Sequence, residues 1–345
     1  MNNKELKTIS ELGEFGLINH LTKNIELKNS SSKHGIGDDA AVINYKNKNS
    51  VISTDLLIEG IHFDMVFTPL KHLGYKAIAV NISDIIAMNA KPQQVTVSLG
   101  ISSKYSLDAM EEIYSGMKLA CEKYGVDIIG GDTSSSVSGL IISITAIGSA
   151  ENNDLVYRSG AKENDLIVVS GDLGAAFVGL TLLQREKEVF NNNPKMQPNL
   201  EGNDYILQRQ LKPEARVDII KLLKEINVKA TSMIDISDGL ASDLLHICEN
   251  SKVACQIYEE KIPIDKNTYN TAMEFNLNPS TCALNGGEDY ELLFTTDISN
   301  YDKIKDNINL SIIGHITKQD QGKILITKGG TSSELKAQGW EHLNS

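Results

Sequence analysis

Gly35-Ile36-Gly37-Asp38-Asp39-Ala40-Ala41-Val42-Ile43 sets two adjacent aspartates behind a Gly-x-Gly pair and ahead of a small, apolar run. Glycine admits backbone conformations that a side chain forbids, and the small residues after it allow close approach. Two unit charges about 4 Å apart repel by roughly 4 kcal/mol at an effective dielectric of about 20, so a buried Asp-Asp pair needs a cation or a proton. Read alone, the segment equally fits an exposed turn, because Asp and Gly both favour turns. The rest of the chain decides.

The pattern recurs outward from that segment. Val51-Ile52 leads into Ser53-Thr54-Asp55, Asp127-Ile128-Ile129 into Gly130-Gly131-Asp132-Thr133, and Ile234-Asp235-Ile236 into Ser237-Asp238-Gly239. In mixed folds ligands gather outside strand ends. Asp55, Asp132, Asp235 and Asp238 can therefore meet at one site, joined by Asp38, Asp39 and Asp84. Asn81 and Asp84 lie three apart on a helical stretch and share a face. An acid among so many apolar neighbours calls for a partner. Hard oxygen donors suit magnesium, which is usually held by one or two carboxylates plus substrate phosphates. No set of histidines and cysteines competes for a softer metal, and the D-x-[DN]-x-[DN]-G calcium loop is absent. Arg158 reads either as a cation facing phosphate or as an ordinary surface arginine. His62, in Glu59-Gly60-Ile61-His62-Phe63, reads either as an anion contact or as a satisfied structural histidine.

Helices and strands alternate along the chain, which places it in the mixed α and β class. Thr8-x-x-Glu11 reads as a capping box opening a first helix that carries Phe15, Leu17, Ile18 and Leu21. A helix is expected over Leu73 to Met88. Another should follow the N-cap Ser106 and run to Tyr124, with Leu107, Met110, Ile113, Met117 and Ala120 inward and Gly125 as its stop. Strands are expected at Val95 to Ile101, Leu140 to Ile147 and Leu166 to Ser170. Gly171 to Ala176 turns the last of these into a helix, and Pro213 opens a helix through Leu223. The segment Glu186 to Asn203, containing NNNPKMQPN, reads as an exposed loop. A domain boundary near Gly148 to Asn153 divides the chain into residues 1–149 and 150–345.

The 345 residues are enough for two ordinary domains. A formal charge of -12 argues against a general nucleic-acid binder, which would carry a basic patch or stripe. Cys121, Cys248, Cys255 and Cys282 show no C-x-x-C spacing, so reduced thiols are the expectation. The N-terminal segment lacks a long apolar run and no later run approaches a membrane span, so a cytoplasmic protein is expected. The familiar phosphate loops are missing. There is no G-x-x-x-x-G-K-[ST], since the only Gly-Lys pair, Gly322-Lys323, precedes Ile324, and neither G-x-G-x-x-G nor the kinase H-R-D and D-F-G set occurs. A nucleotide would have to be held through metals and acids.

Taken together, GIGDDAAVI, STDLLIEGIHFD, YKAIAVNISDIIAMNAKP, IIGGDTS, RSGAK, IDISDGLASDL and GGEDYELLF appear in one order, from Gly13-Glu14-Phe15 to Trp340. That ordered set resembles the thiamine-monophosphate kinase family, part of the ATP-binding superfamily of aminoimidazole ribonucleotide synthetase, selenophosphate synthetase and a hydrogenase maturation factor. The resemblance implies two α/β domains. The N-terminal one would bind ATP and magnesium and dimerise through its β-sheet, and the C-terminal one would close over the substrate. It implies magnesium ligands at Asp39, Thr54, Asp55, Asp84, Asp132 and Asp235, with Ser53 and Asp238 as further metal contacts. ATP contacts would fall at Tyr114, Gly131, Asp132, Arg158 and Ser237. Thiamine monophosphate contacts would fall at His62, Glu288 and Trp340, where an aromatic face suits the thiazolium cation or the pyrimidine. The implied reaction is phosphorylation of thiamine monophosphate by ATP, with several magnesium ions and no dedicated acid or base.

The relatives within the superfamily fit less well. A selenophosphate synthetase would carry a reactive Cys or selenocysteine and a lysine in an N-terminal glycine-rich segment, whereas the first cysteine here is Cys121, inside an expected helix. The hydrogenase factor would end in cysteine, and this chain ends His342-Leu343-Asn344-Ser345. An aminoimidazole ribonucleotide synthetase would lack RSGAK and GGEDYEL in these settings. A nucleotide sensor without turnover would have lost a metal ligand, and none is lost.

Overall fold

The computed structural model describes residues 32–34, 37–45, 48–151 and 153–338. The expected capping box and first helix, Gly35, Ile36 and Trp340 lie outside the described residues. The first sheet contains β1 (Ser32–His34), β2 (Ala41–Tyr45), β3 (Lys48–Ile58), β4 (Lys91–Ile101), β5 (Asp127–Ser135) and β6 (Leu140–Glu151), in the order β1-β2-β3-β6-β4-β5. Its pairs are antiparallel except β4 with β5. The second sheet contains β7 (Leu166–Ser170), β8 (Ser232–Asp235), β9 (Ala254–Tyr258), β10 (Leu292–Thr296), β11 (Leu310–Thr317), β12 (Ile324–Ile326) and β13 (Ser332–Glu334), in the order β13-β12-β9-β11-β7-β10-β8.

Helix α1 (Leu70–Ala87) joins the two sheets. It is apolar nearly all round, and such a helix is stable only when surrounded. It packs against β3, β4 and β6 on one side and β8 on another. The same core takes in Ile78, Ile82 and Ile85 of α1, Val97 and Ile144 of the first sheet, and Val168, Met233 and Phe294 of the second. The polar residues Lys76, Asn81 and Ser83 of α1 are buried within this packing. Helix α2 (Leu107–Tyr124) lies against α1. The second sheet is covered on both faces. Leu166 and Val168 face the core shared with α1, while Ile167 and Val169 face a second core built with α6 (Leu240–Ser251). Strands covered on both sides read as unbroken apolar runs, as LIVVS does. The remaining α-helices among the described residues are α3 (Ala175–Asn192), α4 (Asp204–Leu211), α5 (Val217–Glu225), α7 (Lys266–Glu274), α8 (Pro279–Asn285) and the single turn α9 (Tyr301–Ile304).

Several boundaries move. The Ser106 hydroxyl accepts from the Ala109 amide and Gly125 closes α2 at φ 66, as expected. Leu107, however, is 73% exposed, because the inner stripe of α2 starts a turn later. The stretch Glu186 to Asn203 is not all loop. Residues through Asn192 continue α3, and buried Glu186 accepts from the Asn199 amide at 2.8 Å, tying the following loop back to its helix. The helix expected at Pro213 starts at Val217, since Glu214 and Arg216 are drawn into ion pairs with other elements. Asp55 and Asp132 sit inside β3 and β5 rather than at their ends. Only Asp235 closes its strand. All four cysteines are free and buried.

Candidate active site

Separate elements deliver acids to one point. The bend before β2 carries Asp39, β3 carries Ser53 and Asp55, α1 carries Asp84, and β8 ends on Asp235. Side chains alternate across a strand, so Ser53 and Asp55 point the same way. Carboxylate oxygens of Asp39, Asp84 and Asp235 lie within 4.8 Å of one another. Each is steered by a neighbour. The Ser53 hydroxyl donates to Asp84 and the Ser83 hydroxyl to Asp235. Asn81 donates to the Ala77 carbonyl at 3.0 Å and accepts from the Asp55 amide at 3.0 Å. Arg158 forks onto Asp39, Nε at 3.0 Å and Nη2 at 2.9 Å, while its backbone amide donates to Asp38 at 3.2 Å.

Burial and mutual repulsion act together on this cluster. Burial first, then Asp55, Asp235 and Asp39, raise Asp84 well above the usual carboxylate range. Burial and Asp39 push Asp235 up to about 8 and Asp55 up to about 6. Burial and Asp39 likewise lift Asp38 to about 7, against the Arg158 amide and charge. Burial opposes the charge of Arg158, but Asp39 and Asp38 outweigh it and hold the guanidinium protonated. Buried hard oxygen donors that destabilise one another, supplied from several elements, fit a divalent cation such as magnesium.

A cavity of 1180 Å³ opens from these acids, lined also by His62, Arg158, Ser237, Asp238 and Glu288. The Ile58 amide donates to His62 Nδ1 at 3.0 Å, which fixes the ring. The loop Gly286-Gly287-Glu288-Asp289 docks on the segment after β8. The Glu288 amide donates to the Ser237 carbonyl at 2.7 Å. Gly287 has φ +71, and a Cβ there would stand 2.6 Å from that carbonyl, so only glycine permits the approach. Glu288 itself adopts φ 58, a conformation that costs a non-glycine residue about 1 kcal/mol or more and tends to cluster at functional sites. The three acids of GGEDYE then diverge. Glu288 turns to the cavity. Asp289 accepts from the Gly174 and Ala176 amides at the start of α3. Glu291 lies among Arg209, Arg216 and Ser170.

Thr54 lines the cavity as well, but not through its hydroxyl, and three other expected residues lie away from it. Thr54 alternates with Ser53 and Asp55, and its hydroxyl pairs with Thr145 at 2.8 Å on the other face of the sheet. Gly131 and Asp132 lie exposed on β5, at the edge of the first sheet. Gly131 has φ +155, and its Cβ would meet the Val97 carbonyl at 1.7 Å, so this glycine serves the β4–β5 contact. Tyr114 packs on the core from α2. These three residues are not among the described residues that line the cavity. Others were not foreseen. Lys76, 3% exposed, and Gln210, 5% exposed, both reach Glu288. Lys76 stands as the one charge in the run Gly74-Tyr75-Lys76-Ala77-Ile78-Ala79-Val80, and that placement is the available signal.

Two family models match the chain: the N-terminal domain of AIR synthase related protein over residues 37–150, and its C-terminal domain over residues 162–327. The thiamine-monophosphate kinase of Bacillus subtilis (strain 168) is 34% identical over 337 residues, covering 96% of this chain and 99% of that protein. That of Buchnera aphidicola subsp. Schizaphis graminum is 40% identical over 339 residues, covering 96% and 99%. Among solved structures, AaThiL complexed with AMPPCP and TMP superposes with a TM-score of 0.83 at 34% identity, covering 98% of this chain and 100% of that one.

Proposed function

This chain belongs to the thiamine-monophosphate kinase family, and we propose that it transfers the γ-phosphoryl group of ATP directly to the phosphate of thiamine monophosphate. A phosphate oxygen of thiamine monophosphate attacks the γ-phosphorus in line, the bond to the β,γ-bridging oxygen breaks, and ADP leaves with that electron pair. The attacking oxygen is already ionised at neutral pH, so no general base is required. The protein's task is to hold two polyanions together in the right orientation. The observation that carries this reading is the convergence of Asp39, Asp84 and Asp235 on a cavity that also presents Glu288 and His62.

Magnesium, bound by Asp39, Asp55, Asp84 and Asp235 with Ser53 and Asp238 beside them, would neutralise and orient the phosphates. Arg158 and Ser237 line the same cavity and contact ATP in this reading, while His62 and Glu288 hold thiamine monophosphate, with Trp340 assigned to the same substrate. Thr54 would contribute through its carbonyl, because its hydroxyl is engaged elsewhere. Asp132, Gly131 and Tyr114 would serve the nucleotide in a homodimer. The exposure of β5, with Ile129 58% exposed, supports an assembly that covers this edge. In that assembly residues 1–149 bind ATP and magnesium, residues 150–345 close over the substrate, and the enzyme works in the cytoplasm. No helix among the described residues is long and apolar enough to cross a membrane.

Chromatography of the products tests the reaction, with MgATP and either thiamine monophosphate or free thiamine as acceptor. Thiamine diphosphate from the monophosphate alone, abolished by EDTA, is expected. Product from free thiamine would identify a pyrophosphokinase instead and overturn the roles of His62 and Glu288.

A further inference from the structure

The carboxylate of Glu288 is held at both oxygens. Lys76 Nζ lies 2.9 Å from Oε1, and Gln210 Nε2 donates to Oε2 at 2.8 Å. Lys76 also donates to the Gln210 backbone carbonyl at 3.2 Å, which ties the two partners to each other. Lys76 comes from α1 and Gln210 from α4, so Glu288 is gripped from two separate helices. A carboxylate only accepts, so the Gln210 amide nitrogen must face it. That orientation leaves Gln210 Oε1 buried without a partner among the described residues. Turned the other way, the amide would set its oxygen against the carboxylate, so Glu288 fixes the amide and the unmade bond at Oε1 remains as a penalty. The amide is aimed at Glu288 in spite of that penalty.

We propose that Lys76 and Gln210 are positioning residues for the substrate, acting through Glu288. The proposal rests on the reading of Glu288 as a thiamine monophosphate contact. With Lys76 balancing its charge, Glu288 acts as an oriented hydrogen-bond acceptor in the cavity. An acceptor of that kind suits the exocyclic amine of the aminopyrimidine ring better than the thiazolium cation, which has no N–H to donate. Fixing both oxygens at once aims the remaining lone pairs in one direction, and preorganisation of this kind is what binding specificity needs.

Steady-state kinetics, with thiamine monophosphate and MgATP varied independently, test the proposal. Gln210→Leu is the main variant, since it removes an amide whose oxygen already lacks a partner. It should raise KM for thiamine monophosphate about tenfold, the equivalent of one hydrogen bond to a charged group. Its kcat and its KM for ATP should stay within about twofold of the parent. In a Glu288→Gln background the same substitution should add nothing, because the effect runs through Glu288. Lys76→Met, measured beside Lys76→Met/Glu288→Gln to remove the stranded charge, should behave alike. An equal rise in KM for both substrates, or an additive effect in the Glu288→Gln background, would overturn the proposal. An unchanged KM in Gln210→Leu, with a raised KM in Glu288→Gln, would overturn it alone. An unchanged KM in Glu288→Gln would remove the substrate assignment of Glu288 and the proposal with it.

Discussion

Two groups of buried and half-buried acids flank α1, and they are stabilised in opposite ways. Glu288, Asp289 and Glu291 each meet a protein cation or a helix terminus: Lys76 for the first, the start of α3 with Arg209 for the second, Arg209 and Arg216 for the third. Asp39, Asp55, Asp84 and Asp235 mainly meet one another; among the described residues the Arg158 side chain hydrogen-bonds only Asp39 of the four, its charge reaching Asp235 from further off. Burying a charge is costly unless it is paired. The first group is complete within the chain, whereas the second calls for protons or, in the function proposed above, for a cation from outside. Acid content does not separate the two; the identity of the neighbours does.

The largest expected effect falls on the self-sufficient group. Glu291 is fully buried and accepts from two arginines and Ser170. Glu291→Gln leaves two guanidinium groups short of their counter-charge, and breaking a buried pair this way typically costs about 3–5 kcal/mol. Thermal unfolding should register that loss equally with magnesium and with EDTA. A loss that magnesium repaired would erase the distinction between the groups.

Asp84→Asn acts on the other group and should behave in reverse. The neutral amide can still accept from Ser53, and it relieves repulsion with Asp55, Asp235 and Asp39, so Tm in EDTA should not fall. Turnover should drop on the order of 10²–10³-fold, as when an electrostatic stabiliser of a transition state is removed. Unchanged turnover would dismiss the acid cluster as a catalytic site. Magnesium should also stabilise the parent by about 2.7 kcal/mol at a hundred times its dissociation constant. Asp84→Asn should lose most of that increment, and calorimetry with and without the ion checks it.

How far the sequence made these groups legible depends on the range of the contacts. Asp235-Ile236-Ser237-Asp238-Gly239 was readable because strand, acid and turn are adjacent in the chain. The partition of Glu288, Asp289 and Glu291 was not, because their partners Lys76, Gly174, Arg209 and Arg216 come from other elements. Lys76 and Glu288 are joined by the packing of α1 against the second half of the molecule, which no local pattern encodes. Asp132 carried the same glycine-and-acid signature as Asp235, yet β5 sits at the sheet edge and the signature cannot report strand order. Asp55 and Asp132 lie in strand interiors where the sequence suggests strand ends, for a related reason. Polar residues inside a paired strand look like a stop when its partner strand is unknown.

Thr54 gives the smallest effect and the sharpest use of strand alternation. Ser53 and Asp55 face the acid cluster, so the Thr54 side chain must face away, and its hydroxyl pairs with Thr145. Thr54→Val therefore removes one exposed hydrogen bond and retains both the β-branched shape and the backbone carbonyl. A loss of about 0.5–1.5 kcal/mol at most is expected in unfolding, with kcat/KM within about twofold of the parent. If the substitution instead reduced turnover as far as Asp84→Asn, the hydroxyl itself would be a ligand. β3 would then have to reverse its faces on binding, against eleven residues of register with β6 from Lys48 opposite Glu151 to Ile58 opposite Ile141. A one-residue slip would move every side chain of β3 to the other face and expose Val51 and Leu57, which are buried in the core. That opposition is why the carbonyl, and not the hydroxyl, is the group of Thr54 assigned to the metal site.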